Sequence, residues 1–238
     1  MPYYYGFDWT YLVIVLPCLL LSLWASSRVN NTFKRYSTQY SSRRITGADA
    51  ARRVLQANGV YNVRIDRVSG NLTDHYDPKA NVIRLSDSVW GSTSTAAIGV
   101  ACHEAGHAVQ YAQNYGPIKI RAAIIPLTNF GSKLAMPLIL LGVILSSLGN
   151  LSYSLVYAGI ACFSLSLVFQ LITLPVEFNA SRRAIAAIED GNILTSDELV
   201  GARKTLRAAA LTYVAAVAAS LGQLIRLIIL FGGRRRND

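Results

Sequence analysis

His103-Glu104-Ala105-Gly106-His107 reads H-E-x-x-H inside a helix-like segment. An α-helix advances about 100° per residue, so positions i and i+4 share one face, a turn apart. Two imidazoles so placed can grip one Zn²⁺ from the same side, and Glu104, beside the first, is set to take a proton from water there. The chain has 3 histidines, and two of them stand here. Two incidental histidines on an ordinary helix would spell the same letters, so the surroundings must decide. Ser94 or Thr95 is suited to cap this helix, and Asn114, before Gly116-Pro117, to end it.

The surroundings are those of a membrane. The 238 residues are 52% hydrophobic and only 15% charged, against about 25% in soluble domains. Apolar runs at 9–25, 134–149 and 153–174 read as membrane helices, while 208–231, interrupted by Arg226, leaves open a fourth crossing or a place in the interface or against protein. Pro17 stands in the first as a kink point. The turn 149–152 is short enough only for a helical hairpin. Met1 to Phe7 lacks Lys and Arg, while Arg28, Lys34 and Arg35 follow the first run. That order favours an uncleaved anchor with its N-terminus outside. It puts 26–130 and 176–207, both rich in Arg and Lys, on the cytoplasmic side. The net charge of +10 is thus read as a topology signal, and no nucleic-acid motif accompanies it. One conflict remains: if 208–231 crosses, Arg234-Arg235-Arg236 ends outside. Three scattered cysteines give neither a disulfide framework nor a C-x-x-C pair, and Cys102 reads as a packing residue.

Between the first two apolar runs lies a basic connector, 26–45, and then a folded portion. Thr46-Gly47-Ala48-Asp49 matches a capping box, opening a helix to Asn58 with Gly59 as its stop. Strands are expected at 60–65, 72–76 and 82–85, the last two joined by the turn 77–81. The expectation is a short antiparallel sheet beside the motif helix, whose edge near 82–86 could take an extended peptide as an added strand. Residues 175–190 read as a polar helix. Thr195-Ser196-Asp197-Glu198 is a second capping box, opening the long last helix.

Catalytic zinc sites take three protein ligands plus water. No His follows His107, so a carboxylate must complete the set unless His75 does. The acidic residues beyond the motif are Glu177, Glu189, Asp190, Asp197, Glu198 and Asp238. Glu177 follows Pro175 at the cytoplasmic end of the third apolar run, where the motif helix could also sit. Its ordinary alternative is an interfacial helix-start carboxylate favoured by the dipole. Two membrane crossings separate His107 from Glu177, and two crossings restore the side.

The blocks Leu72-Thr73-Asp74-His75-Tyr76-Asp77-Pro78, Val82-Ile83-Arg84-Leu85-Ser86, His103 to Gln110 and Pro175 to Arg183 resemble the YugP-type membrane zinc metallopeptidases over nearly the whole chain. That family is similar to the HtpX-like membrane gluzincins. The resemblance implies a mainly α membrane protein with a small α+β zincin-like catalytic portion, about 46–130 plus 175–207, in a single domain over 1–238. It implies one Zn²⁺ per chain held by His103, His107 and Glu177, the last as the Glu of an E-x-x-x-D segment. The supporting Asp of that segment is Ser181 here, which leaves support for a zinc-binding His unassigned, with Asn179 as a substitute.

The chemistry implied is hydrolysis of a peptide or membrane-protein substrate at the cell membrane, with Glu104 as general base. Candidates to steady the oxyanion are His75, Tyr76, Arg182 and Arg183, the arginines doubling as membrane-surface anchors. Three rivals remain. In a site-two type intramembrane protease the motif lies within a span, whereas Gln110, Gln113 and Asn114 suit an aqueous edge. In a scaffold the zinc is structural, and another zinc hydrolase would act on a non-peptide substrate. An ATP-driven protease is excluded for this chain, which has no G-x-x-x-x-G-K-[ST] loop. Sequence alone does not speak to the oligomeric state.

Overall fold

The computed structural model describes residues 8–232. The uncharged start at 1–7 and the basic triplet 234–236 lie outside the described residues. The elements run α1 (Leu16–Tyr36), preceded by a π-helical turn (Tyr11–Val15), α2 (Gly47–Ala57), β1 (Arg64–Val68), β2 (His75–Asp77), β3 (Val82–Ser86), α3 (Thr95–Ala112), α4 (Gly116–Ile144), α5 (Asn150–Asp190) and α6 (Ser196–Gly232). The protein is mainly helical, and α1 with its leading turn, α4, α5 and α6 are each long and apolar enough to cross a membrane.

Several boundaries differ from the sequence reading. The helices outrun their apolar cores because polar residues extend a helix as readily as apolar ones do. Thus α1 continues through the expected connector to Tyr36, and the runs 153–174 and 175–190 are one helix with Pro175 inside. α4 begins at Gly116 rather than near 134, with Pro117 in its first turn, where the missing N–H costs nothing. The π-helical turn falls just before Pro17, whose ring nitrogen cannot donate to the preceding turn. The first strand lies at 64–68 instead of 60–65, because Val60 N–H still bonds the Leu55 carbonyl at the end of α2. The sheet is mixed rather than wholly antiparallel: its order is β1-β3-β2, with β1 parallel and β2 antiparallel to β3. Residues 82–86 therefore form the central strand, paired on both sides, and the edges of the sheet are β1 and β2.

The chain divides into two compact units. One comprises Met1–Trp24, Arg121–Thr173 and Tyr213–Asp238. Here α4 and α5 form the expected hairpin at close range. A Cβ on Gly159 would lie 2.8 Å from the Ala135 carbonyl oxygen, and one on Gly142 2.8 Å from that of Ser152. Small residues let membrane helices approach this closely. α1 and α6 run antiparallel: Cys18 Sγ donates to the Ala218 carbonyl at 3.4 Å, and the Arg226 guanidinium pairs with Asp8. Tyr157 Oη, near the start of α5, donates to the Phe231 carbonyl at 3.4 Å. Arg226, which seemed to interrupt a span, has its counter-charge on another segment.

The other unit comprises Ala25–Ile120 and Leu174–Thr212. Thr46 caps α2 by accepting from Asp49 N–H, and Ser94 caps α3 by accepting from Ala97 N–H. Thr195 and Glu198 complete a reciprocal box at the start of α6. α3 is buried along nearly its whole length. Its neighbours include Val54, Leu55, Ile83, Leu85, Ile188 and Ile193, all fully or nearly buried. The small side chains of α3 allow backbone contact. A Cβ on Gly106 would stand 2.8 Å from the Ala180 carbonyl oxygen of α5. Gly106→Ala should therefore cost about 1–3 kcal/mol, the usual penalty of overpacking, by forcing α5 away from α3. Thermal melting checks the effect.

Candidate metal centre

Three ligand atoms, one each from His103, His107 and Glu177, lie within 4.8 Å of one another. α3 presents the two imidazoles one turn apart, edge to face, with ring centroids 4.7 Å apart. α5 brings Glu177 over the same face. Its Oε2 lies 3.2 Å from His103 Nε2 and 3.3 Å from His107 Nε2. The Glu177 side chain is only 3% exposed.

The outer nitrogens are held as well. His103 Nδ1 lies 3.1 Å from Ser181 Oγ, and His107 Nδ1 lies 3.0 Å from Gln110 Oε1. Gln110 is fully buried and its amide can point only one way. Its Nε2 donates to the Val176 carbonyl and to Asn179 Oδ1, both at 2.9 Å. A flipped amide would set an oxygen against two oxygens. Asn179 Oδ1 also accepts from Arg183 Nε at 2.7 Å, and Arg183 Nη1 donates to Gln113 Oε1. Gln110 Oε1 must therefore accept, so His107 carries a proton on Nδ1 and turns Nε2 inward.

An inward lone pair facing a carboxylate oxygen calls for a cation or a proton between them. Tetrahedral zinc ligands about 2.0–2.1 Å from the ion stand roughly 3.3 Å apart. Glu177 Oε2 keeps that spacing from both Nε2 atoms. Two nitrogens and a carboxylate oxygen are also a donor set that zinc favours. The electrostatics agree. Burial alone would lower the His107 imidazole, but the Glu177 hydrogen bond and the nearby Glu104 charge outweigh it and raise it, so positive charge is favoured here. Glu104 is itself buried. The Asp74 carboxyl is raised, first by its burial and further by Glu104, although Ser86 N–H and Oγ both donate to it. The arrangement can hold one divalent ion beside a buried carboxylate.

Of the supporting residues expected, Ser181 reaches His103 directly and Asn179 acts through Gln110. The other candidates make contacts of their own. His75 is exposed on β2, with Nδ1 2.9 Å from the Thr73 carbonyl and Nε2 3.4 Å from Arg84. Tyr76 turns its hydroxyl to Asn81 Oδ1 and its ring toward Tyr111. Arg182 faces outward, exposed on α5. Cys102 is buried in the core, and that burial pushes its thiol up. Gln110 is the residue that sequence reasoning misplaced, as a sign of an aqueous edge. Its position three residues after His107, on the same helical face, was the available signal. Gln110→Met should keep the volume but lose the Nδ1 anchor. Zinc affinity, measured against a competing chelator, should fall about 10- to 100-fold. Asn179→Asp, which keeps both acceptor contacts, should bind zinc nearly as the unaltered chain does.

The chain is 45% identical over 228 residues to a protein of Bacillus subtilis (strain 168) named "Putative membrane protease YugP", covering 95% of this chain and 99% of that protein. No solved structure matches it. The model of a family described as "Putative neutral zinc metallopeptidase" matches residues 11–232, and the chain belongs to that family.

Proposed function

We propose that this protein is a membrane-embedded, zinc-dependent endopeptidase that uses Glu104 as general base and holds one zinc ion with His103, His107 and Glu177. The observation that carries the reading is the convergence of those three ligand atoms, two from α3 and one from α5, beside a buried carboxylate. When bound, the ion lowers the pKa of water toward ~7 and polarises the scissile carbonyl. Glu104 accepts the proton that the attacking water gives up. The resulting hydroxide bonds to the carbonyl carbon, the C–N bond breaks, and Glu104 returns the proton to the departing amine. Gln110 and Ser181 keep both imidazoles turned inward throughout. β2 is paired on one side, to β3, and packs against α3. An extended peptide added at its other side would run along the motif helix, which favours peptide over other substrates.

The Arg- and Lys-rich stretches 26–130 and 176–207 support a cytoplasmic site, with the N-terminus outside the cell membrane. The same topology suits a single functional domain over 1–238. Substrates would be peptides or membrane proteins. The decisive experiment is cleavage of an unstructured polypeptide by the detergent-purified protein. Cleavage should stop on chelation and return with about one equivalent of zinc. Tight stoichiometric zinc with no cleavage of any polypeptide would favour a scaffold with a structural ion.

A further inference from the structure

A second concavity of about 500 Å³ lies at the N-terminal half of α6, lined by Arg43, Glu189, Leu199, Arg203, Lys204 and Arg207 among others. Cavities of roughly 300–1,000 Å³ are the usual size for small-molecule sites. Arg203, Lys204 and Arg207 stand at i, i+1 and i+4 of one helix and share a face. Arg43 reaches the same space from the loop before α2. Four cations thus meet one carboxylate, Glu189, which lies 3.7 Å from Arg203. Among the described residues no carboxylate pairs with Arg43, Lys204 or Arg207.

Arginines that serve only as membrane anchors each extend into their own water. Gathering them on one hollow costs repulsion that a bound anion would remove. Arg207 also immediately precedes the apolar half of α6, 208–231, a position suited to a lipid headgroup. Guanidinium groups are the side chains best matched to phosphate oxygens.

We propose that this hollow binds the phosphate group of an anionic ligand, supplied either by a phospholipid headgroup or by free phosphate. The site is separate from the metal centre and does not depend on peptidase activity.

The test uses full-length protein in phosphatidylcholine nanodiscs, with and without phosphatidylglycerol, and reads retained lipid by native mass spectrometry. Inorganic phosphate is titrated in a parallel arm. The unaltered chain should retain phosphatidylglycerol selectively, and Arg203→Gln/Arg207→Gln about a tenth as much. Arg53→Gln/Lys79→Gln, which removes the same charge from exposed positions elsewhere, should match the unaltered chain. Glu189→Gln, which frees Arg203, should bind more tightly. Zinc content should be the same in all. Phosphate binding without lipid selectivity, abolished by the first pair alone, would support the site with free phosphate as its ligand. Absence of both forms of binding, or equal loss in both charge-matched pairs, would overturn the proposal.

Discussion

Glu104→Gln should keep zinc bound at about one equivalent and lower polypeptide cleavage about 10³-fold or more, since a positioned acid–base group typically supplies 10²–10⁴. Glutamine matches glutamate in shape but cannot take a proton from water at neutral pH. The side chain is buried, so the substitution adds no bulk and should not disturb α3. It does remove one negative charge that acts on both Asp74 and His107. Zinc affinity should weaken slightly for that reason, by far less than turnover falls. Asp74 reports the same change independently. Burial is the main cause that raises its carboxyl and Glu104 adds to it, so neutralising Glu104 should lower the Asp74 titration while burial still holds it raised. Metal analysis and turnover on one preparation check the pair of outcomes. A scaffold whose zinc is structural would keep its biological activity in this variant. An enzyme would lose turnover and keep its metal.

How much of this was legible beforehand follows from the range of each interaction. The motif pair could be read because i and i+4 on a helix are local geometry. Both capping boxes could be read for the same reason: Thr46 with Asp49, and Thr195 with Glu198, are contacts three residues apart. Glu177, 74 residues from His103, stood out among the few acidic residues after the motif, and family resemblance gave it the ligand role; spacing alone could not bring the two together. The strand order was not legible. Adjacent strands in sequence suggest hairpins, but β1 lies parallel to β3, and nothing in five residues of alternating pattern encodes that choice. Helix lengths were underestimated because hydropathy marks where a helix meets lipid, whereas hydrogen bonding decides where it ends. Gln110 was misjudged because a polar residue on a helix usually faces water. Here its four hydrogen-bonding positions are largely used by Val176, Asn179 and His107, two of them on a helix that sequence spacing does not bring near.

The second large effect belongs to Glu177. Glu177→Ala should lose zinc under chelator competition that leaves the unaltered chain loaded. The loss should exceed the roughly 10- to 100-fold expected when only an outer hydrogen-bond partner goes, because one of three donor atoms is removed. Turnover should fall with the metal, and excess zinc should restore it only in part. Glu177→Gln separates charge from shape. It keeps an oxygen in place but removes the negative charge between two inward-facing nitrogens, so its affinity should lie between the two. Side-chain loss by itself should not unfold the unit: the core around α3 is built from Val54, Ile83, Ile98, Ile188 and their neighbours, without Glu177. Equal zinc in Glu177→Ala and the unaltered chain would remove this residue from the ligand set while leaving the family assignment intact. Cysteine labelling from either face of the bilayer adds an independent constraint. If α4 and α5 each cross the bilayer, positions near His107 and Glu177 should react from the same side. Reaction from opposite sides is incompatible with one ion bridging the two helices, whatever the metal analysis returns.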